Sequence, residues 1–255
     1  MIDDLIDKGD AYYAFDKTNE LDELRKTSEK SGNTFTYNWE NRMNFKNSLT
    51  LSKDESKSYI DKGAYVIRYK TFDEKQGNEI TVSDEIRGNI KINLKLLDDK
   101  IIFKKDGMPT YHLANVADDH DMKISHVVRG EEWLPSLPLH YLLYKSFNWE
   151  PPKFAHLPLI LKPSGKGKLS KRDGEKYGIP IYPISWKEAR KEFKGFKEIG
   201  FESTALINFI SLIGWNPGDQ KEVFSLNELI NQFSIKRIIK GGAKYCLLYT
   251  SDAAD

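Results

Sequence analysis

The chain has 255 residues, with 39 basic against 38 acidic and a net charge of +1. That balance excludes a chain that is basic throughout, so a nucleic-acid partner would have to be met by local Lys/Arg patches. Apolar residues at 39% and aromatics at 12% supply one large domain or two to three smaller ones. No stretch approaches the roughly 20 consecutive apolar residues of a membrane span, and the lone Cys246 excludes an internal disulfide or a cysteine zinc site and fits a reducing compartment, the cytoplasm.

Taken in chain order, Ile2, Leu5 and Ile6 share one helix face, with no cap residue ahead of them and no secretory signal. The start therefore reads as the middle of a domain. Residues 1–31 are expected to form two helices split by Gly9-Asp10 and the aromatic run Ala11 to Phe15. Residues 32–51 read as irregular, anchored by Trp39, Arg42 and Phe45, and 52–62 as a short helix that Gly63 ends. The period then changes to alternation. Residues 64–70, 80–82, 90–92 and 101–103 are expected strands, with turns at Asp98-Asp99 and Asp106-Gly107. This is a mixed α+β module of about one hundred residues.

From Pro109 the order becomes helix, strand, helix: Tyr111 to Met122, a buried strand at Ile124 to Val128, and a helix from Trp133 to Phe147. Such an order suggests half of a doubly wound nucleotide-binding domain. A strand from His156 to Leu161 and a Gly/Lys loop to about Tyr177 follow. Residues 183–199 are expected to be a basic helix, 201–214 an apolar one, and 225–240 two short helices with Ser225 as the first cap. The last ten residues, 246–255, change composition abruptly. They resemble a translated sequencing adapter, and the natural sequence is expected to stop near Tyr245.

The loop Lys162 to Arg172 packs five cations into eleven residues, with Gly165 and Gly167 letting the backbone bend. Such a loop suits a polyphosphate that gains charge as its ester breaks. A solvated basic surface loop is the plainer reading. Its core, Lys168-Leu169-Ser170-Lys171-Arg172, resembles the KMSKS loop of class I aminoacyl-tRNA synthetases, with Leu169 for the common Met and Arg172 for the final Ser. The resemblance implies catalytic roles for Lys168, Ser170 and Lys171, and ATP binding by Lys168, Lys171, Arg172 and Leu161.

Asp106 to Met122, continuing through Val128-Arg129-Gly130-Glu131-Glu132-Trp133, resembles the glutamyl-tRNA synthetase pattern. Without the family, Tyr111 and Asn115 already share one helix face. Arg129 and Trp133 fall at the strand-to-helix edge where open α/β sheets bind ligands, and an Arg fork suits a carboxylate. The resemblance implies that Tyr111, Asn115, Arg129 and Trp133 line a glutamate pocket; the plainer reading is that Tyr111 and Trp133 are core aromatics and Arg129 pairs with Glu131 or Glu132. It further likens Gly63 to Arg68 and Asp84 to Gly88 to the inserted domain that grips the tRNA acceptor end. Arg68 and Arg87 are then tRNA contacts, or equally ordinary ion pairs. Gly241-Gly242 resembles a stretch that contacts the tRNA stem. Asp118-Asp119-His120-Asp121 is read as a surface cluster and not a metal site, because consecutive helical residues diverge. His156 is assigned to packing or a hydrogen bond.

The implied fold is α/β: the second half of a class I synthetase Rossmann-type catalytic domain, with an inserted α+β acceptor-binding domain and the start of a helical stem-contact domain. The implied boundaries are 1–110, 111–155, 156–245 and the foreign 246–255. The implied activity is ATP-dependent formation of glutamyl-adenylate and transfer to tRNA(Glu), with Mg²⁺ on the phosphates, no zinc, no membrane and a monomeric enzyme. The five histidines include no His-Ile-Gly-His-type pair, so half of the nucleotide site is expected to lie elsewhere. The chain alone is therefore expected to be inactive. Tyr12-Tyr13-Ala14-Phe15 stands where some relatives place zinc-binding cysteines. Rival readings are a glutaminyl-tRNA synthetase, a relative that glutamylates a queuosine in tRNA, and an RNA-binding module without catalysis.

Overall fold

The computed structural model describes residues 1–74, 77–162, 164, 166–178, 180, 182–188 and 191–244, with the backbone alone at 171, 172, 175, 188, 191, 243 and 244. The segment 246–255 lies outside the described residues. The chain divides into two compact units.

The first unit comprises Met1–Ser83, Asn89–Val127 and Leu134–Lys153. Helix α1 (Ile2–Asp7) buries Leu5 and ends at Gly9, whose φ of 77° only glycine adopts at no steric cost. The aromatic run becomes strand β1 (Ala11–Ala14), as its Tyr pair favours. After α2 (Thr18–Lys30) and α3 (Lys53–Asp61), β1 pairs with β2 (Val66–Tyr69), Ala11 facing Tyr69 and Ala14 facing Val66. Helix α3 starts in a capping box, Ser52 and Glu55 each satisfying the other's backbone N–H. Strands β3 (Glu79–Asp84) and β4 (Gly88–Asn93) follow, and β5 (Ile101–Phe103) adds to β2 to complete an antiparallel three-stranded sheet, β1-β2-β5. Its core holds Tyr12, Ile67, Tyr69 and Ile102, all at most 2% exposed.

Asp99 is no simple turn residue. It is fully buried, paired with Arg42 Nε at 3.2 Å, and accepts from the Tyr12 hydroxyl at 2.8 Å and from Thr71 N–H at 3.0 Å. Arg42, expected as an anchor, is buried here and donates to Phe72 O. Helix α4 (Tyr111–Asp121) buries Leu113 and Val116, and packs on α5 (Leu137–Ser146).

Several elements depart from the sequence expectation, each for a local reason. The strand expected at Ile124 to Val128 is β6 (His126–Gly130), and Val128 is 51% exposed. β6 ends the sheet order β4-β3-β7-β6; successive side chains of a strand alternate between its faces, and His126 and Val128 share the exposed one. The helix expected from Trp133 begins as a 3₁₀ stretch, Glu131–Ser136, containing Pro135. The α-helix starts only at Leu137, with Pro138 in its first turn, where a missing N–H costs nothing. The strand expected from His156 to Leu161 breaks at Pro158 into β7 (Lys153–Leu157) and β8 (Ile160–Leu161).

The second unit comprises Asp84–Gly88, Val128–Trp133 and the chain from Phe154 onward. The Gly/Lys loop stops at Ser170, because helix α6 (Lys171–Tyr177) follows at once. The basic helix expected over 183–199 is instead a hairpin, β9 (Trp186–Glu188) against β10 (Lys191–Phe193). Trp186 sits opposite Phe193 with ring centroids 4.7 Å apart, a cross-strand aromatic pair that favours strand over helix. Helix α7 (Ser203–Gly214) and helix α8 (Leu226–Gln232) agree with the apolar periodicity, and Ser225 with Glu228 forms a second capping box. Ile86, Ala155, Trp215, Phe224, Leu229 and Ile238 form this unit's core. Strand β11 (Ala243–Lys244) runs parallel to β8; a Cβ at Gly242 would lie 3.0 Å from Leu159 O, a tight contact that favours glycine there.

Candidate active site

Tyr111 opens α4 and Asn115 lies one turn on, both in the first unit. Tyr111 is 48% exposed. Beside it, His112 Nδ1 lies 3.1 Å from Nε2 of the buried His140 on α5, which ties the start of α4 to that helix.

Arg129 and Trp133 belong to the second unit, where the geometry brings them together: the guanidinium carbon is 5.8 Å from the Trp133 ring centroid. That is within cation–π range, so the indole helps hold the guanidinium in place. Arg129 Nε donates to His156 Nε2 at 3.0 Å, and His156 Nδ1 lies 2.6 Å from Asp84 Oδ2. Both His156 and Asp84 are buried. Asp84 Oδ1 also accepts from the backbone N–H of Ile86 (3.0 Å) and Arg87 (2.8 Å), which builds a tight turn at the end of β3. Burial pushes the Asp84 carboxyl up, but the hydrogen bonds from His156 and from the backbone N–H of Arg87, Ile86 and His156 outweigh it and leave it below its usual value. Burial holds the His156 imidazole down; the Asp84 hydrogen bond opposes this, and the positive charges of Arg129 and Arg87 reinforce it.

The basic loop is closed as a hairpin. Lys162 N–H donates to Gly167 O at 3.0 Å and Leu169 N–H to Ile160 O at 2.8 Å, so Leu161 lies opposite Lys168. Gly167 sits at φ 81° in the turn. Lys168 pairs with Glu132. Asp173 accepts from both the Ser170 N–H (2.9 Å) and hydroxyl (2.6 Å), and pairs with Lys162 at 3.0 Å. The Ser170 hydrogen bonds, with Lys162 beside them, hold the Asp173 carboxyl down at about 2. Lys171 and Arg172 open α6; their side chains, like Gly165, fall outside the described residues.

The two arginines expected to touch tRNA are engaged internally. Arg68 is 3% exposed, lies 3.9 Å over the Tyr37 ring, and donates to Asp99 O at 2.7 Å. Its guanidinium serves the first unit's core and is not presented to a phosphate. Arg87 pairs with Glu131 at 2.6 Å and donates to Lys240 O at 2.7 Å, the ion-pair alternative of the two readings.

Sequence reasoning missed Asp84 and Asp173 and underrated His156, and it weighed Glu131 and Glu132 only as partners of Arg129, whereas they pair with Arg87 and Lys168. Asp173 had a signal: Ser170 followed three residues later by an acid is a helix-start pattern. Asp84 and His156 are 72 residues apart in sequence, and nothing local joins them. Among the described residues, no three His, Cys, Asp or Glu side chains converge as metal ligands, and no helix is long and apolar enough to cross a membrane.

The profile of class I tRNA synthetases (E and Q), catalytic domain, matches residues 1–247. The chain is 54% identical over 244 residues to a glutamate–tRNA ligase of Christiangramia forsetii, covering 94% of this chain and 48% of that protein. It is 56% identical over 242 residues to the glutamate–tRNA ligase of Flavobacterium psychrophilum, with the same two shares covered. The crystal structure of a glutamate tRNA ligase from Elizabethkingia meningosepticum in complex with its amino acid superposes with a TM-score of 0.88 at 45% identity, over 96% of this chain and 49% of that chain. The chain thus spans about half the length of the curated relatives it matches. With its α/β architecture, its basic hairpin and a family match that runs from the first residue to the last strand, the chain belongs to the family of class I tRNA synthetases (E and Q), catalytic domain.

Proposed function

We propose that the chain carries the amino-acid-binding and phosphate-binding elements of a glutamate–tRNA ligase. One observation supports this most directly: Arg129 is a partly buried cation set beside Trp133 and anchored at its Nε by His156. A fixed guanidinium against an aromatic wall suits a carboxylate of glutamate, and the neutral amide of glutamine would gain less from it. For Tyr111 and Asn115 on α4, in the other unit, a role toward the amino acid rests on the family resemblance alone.

In the proposed reaction, the α-carboxylate oxygen of glutamate attacks the α-phosphorus of ATP. The bond to the bridging oxygen breaks, giving glutamyl-adenylate and pyrophosphate. A terminal ribose hydroxyl of tRNA(Glu) then attacks the glutamyl carbonyl, and AMP leaves. Lys168, Lys171 and Arg172 supply positive charge where the leaving pyrophosphate gains negative charge, and Ser170 and Leu161 frame the loop. No side chain is needed as a nucleophile; the work is positioning and charge stabilisation. Mg²⁺ carried in with ATP would supply charge neutralisation on the phosphates, beside the loop cations. A monomeric, cytoplasmic enzyme belongs to the same proposal.

The test is aminoacylation by the complete gene product, with labelled glutamate or glutamine and the matching tRNAs. Glutamate transfer is expected, and a Lys171→Ala variant is expected to lose it by about 100-fold or more. Glutamine transfer, or none at all, would overturn the proposal.

A further inference from the structure

We propose that His156, held by Asp84, is a positioning residue that sets the orientation of the Arg129 guanidinium toward the carboxylate of the amino-acid substrate. This rests on the reading of Arg129 just given.

The argument begins with proton inventory. A guanidinium has donors only and keeps its charge, so at the 3.0 Å contact with Arg129 Nε the imidazole Nε2 must be the acceptor. The ring proton therefore sits on Nδ1, where Asp84 Oδ2 receives it at 2.6 Å. His156 is thus neutral and in a single tautomer. Burial and two neighbouring arginines disfavour the charged ring, which agrees. Asp84 cannot swing away, because Ile86, Arg87 and His156 all donate backbone N–H groups to it. The order of control runs from a backbone turn to a carboxylate, to an imidazole, to a guanidinium.

Two consequences follow for function. Holding Nε blocks rotation of the guanidinium plane, so the direction of its terminal nitrogens is set before substrate arrives; a long side chain otherwise loses that freedom on binding. The partner at Nε is also neutral. A carboxylate placed there would place an anion directly against the charge that a substrate carboxylate needs. An imidazole orients the cation without itself adding an opposing charge, much as outer-shell partners orient metal ligands.

The experiment uses the complete gene product and reads KM for glutamate and for ATP separately. His156→Leu is expected to raise KM for glutamate by about 10-fold or more with KM for ATP unchanged. His156→Gln, whose amide oxygen can still accept from Nε, is expected to recover much of that loss. Arg129→Lys removes Nε altogether; it should raise KM for glutamate by itself, and adding His156→Leu to it should raise KM no further. If Arg129→Lys leaves KM for glutamate unchanged, the glutamate reading of Arg129 is wrong. If Arg129→Lys raises it but the His156 variants do not, or add to it in full, the glutamate reading stands and the positioning proposal falls. Should His156→Leu fail to fold, ¹⁵N spectra of the wild-type imidazole decide: protonated Nδ1 and bare Nε2 at pH 7 support the proposal, and the other tautomer or a cationic ring overturns it.

Discussion

Each unit contains a buried aspartate surrounded by donors, Asp99 in the first and Asp84 in the second. Burial drives the Asp99 carboxyl above its ordinary value, and Arg42, the Thr71 N–H and the Tyr12 and Thr71 hydroxyls pull it down without overcoming that push. At Asp84 burial acts the same way, yet His156 and three backbone N–H groups win. The donors explain the difference. At Asp99 three of the groups are side chains that meet from distant segments, whereas at Asp84 the backbone of one turn and the facing strand supply most of them at fixed positions. The uses differ accordingly. Asp99 ties together the core of a module, with Arg68 on its carbonyl. Asp84 orients an imidazole that in turn orients Arg129.

The sharpest way to break this comparison is Arg42→Met. It leaves Asp99 buried without its cation, and a loss of about 3–5 kcal/mol is expected in urea unfolding. A loss under about 1 kcal/mol would mean that Asp99 is not held as an ion, and that Arg42 does not tie this core together through charge.

The opposite pKa directions make opposite pH predictions. The folded pKa of Asp84 is depressed, so its stabilisation is present above the ordinary carboxylate value near 4 and is lost as pH falls through that value to the folded pKa. The folded pKa of Asp99 is raised, so its contribution is present below the ordinary value and is lost as pH climbs through the folded pKa. Urea midpoints of Asp84→Asn and Asp99→Asn, measured against wild type from pH 3 to 7, should therefore deviate with opposite slopes. Parallel slopes would show that the two sites do not differ in the way described.

The smallest effects come from a feature the units share. Ser52 with Glu55, and Ser225 with Glu228, form the same capping box. Ser52→Ala and Ser225→Ala should each cost about 1 kcal/mol. Equal losses by thermal melts would confirm that the units differ in their buried polar centres and not in their local helix signals; a loss at one site only would locate a difference in helix capping as well.

How much was legible follows from the range of each interaction. Helix α4, helix α7, the helix beginning near residue 52, the capped start at Ser225 and the strands around Val66 and Ile101 are written in local sequence signals, so the sequence alone determined them; the cap at Ser52 came from the structure. It also determined the family, because the segment around Tyr111 and the Lys168 to Arg172 motif are contiguous patterns. The hairpin at Trp186 was misread because charge density there hid a cross-strand aromatic pair, which no helical period reports. The break at Pro158 and the late start of α5 were visible as prolines but underweighted. Tertiary structure alone decided that Arg68 serves a core, that Asp99 is a hub, and that Asp84, His156 and Arg129 form one chain of hydrogen bonds. The reason is physical: a buried charge is tolerated only where partners from other segments converge on it, and that convergence is a property of the folded chain and not of any stretch of sequence.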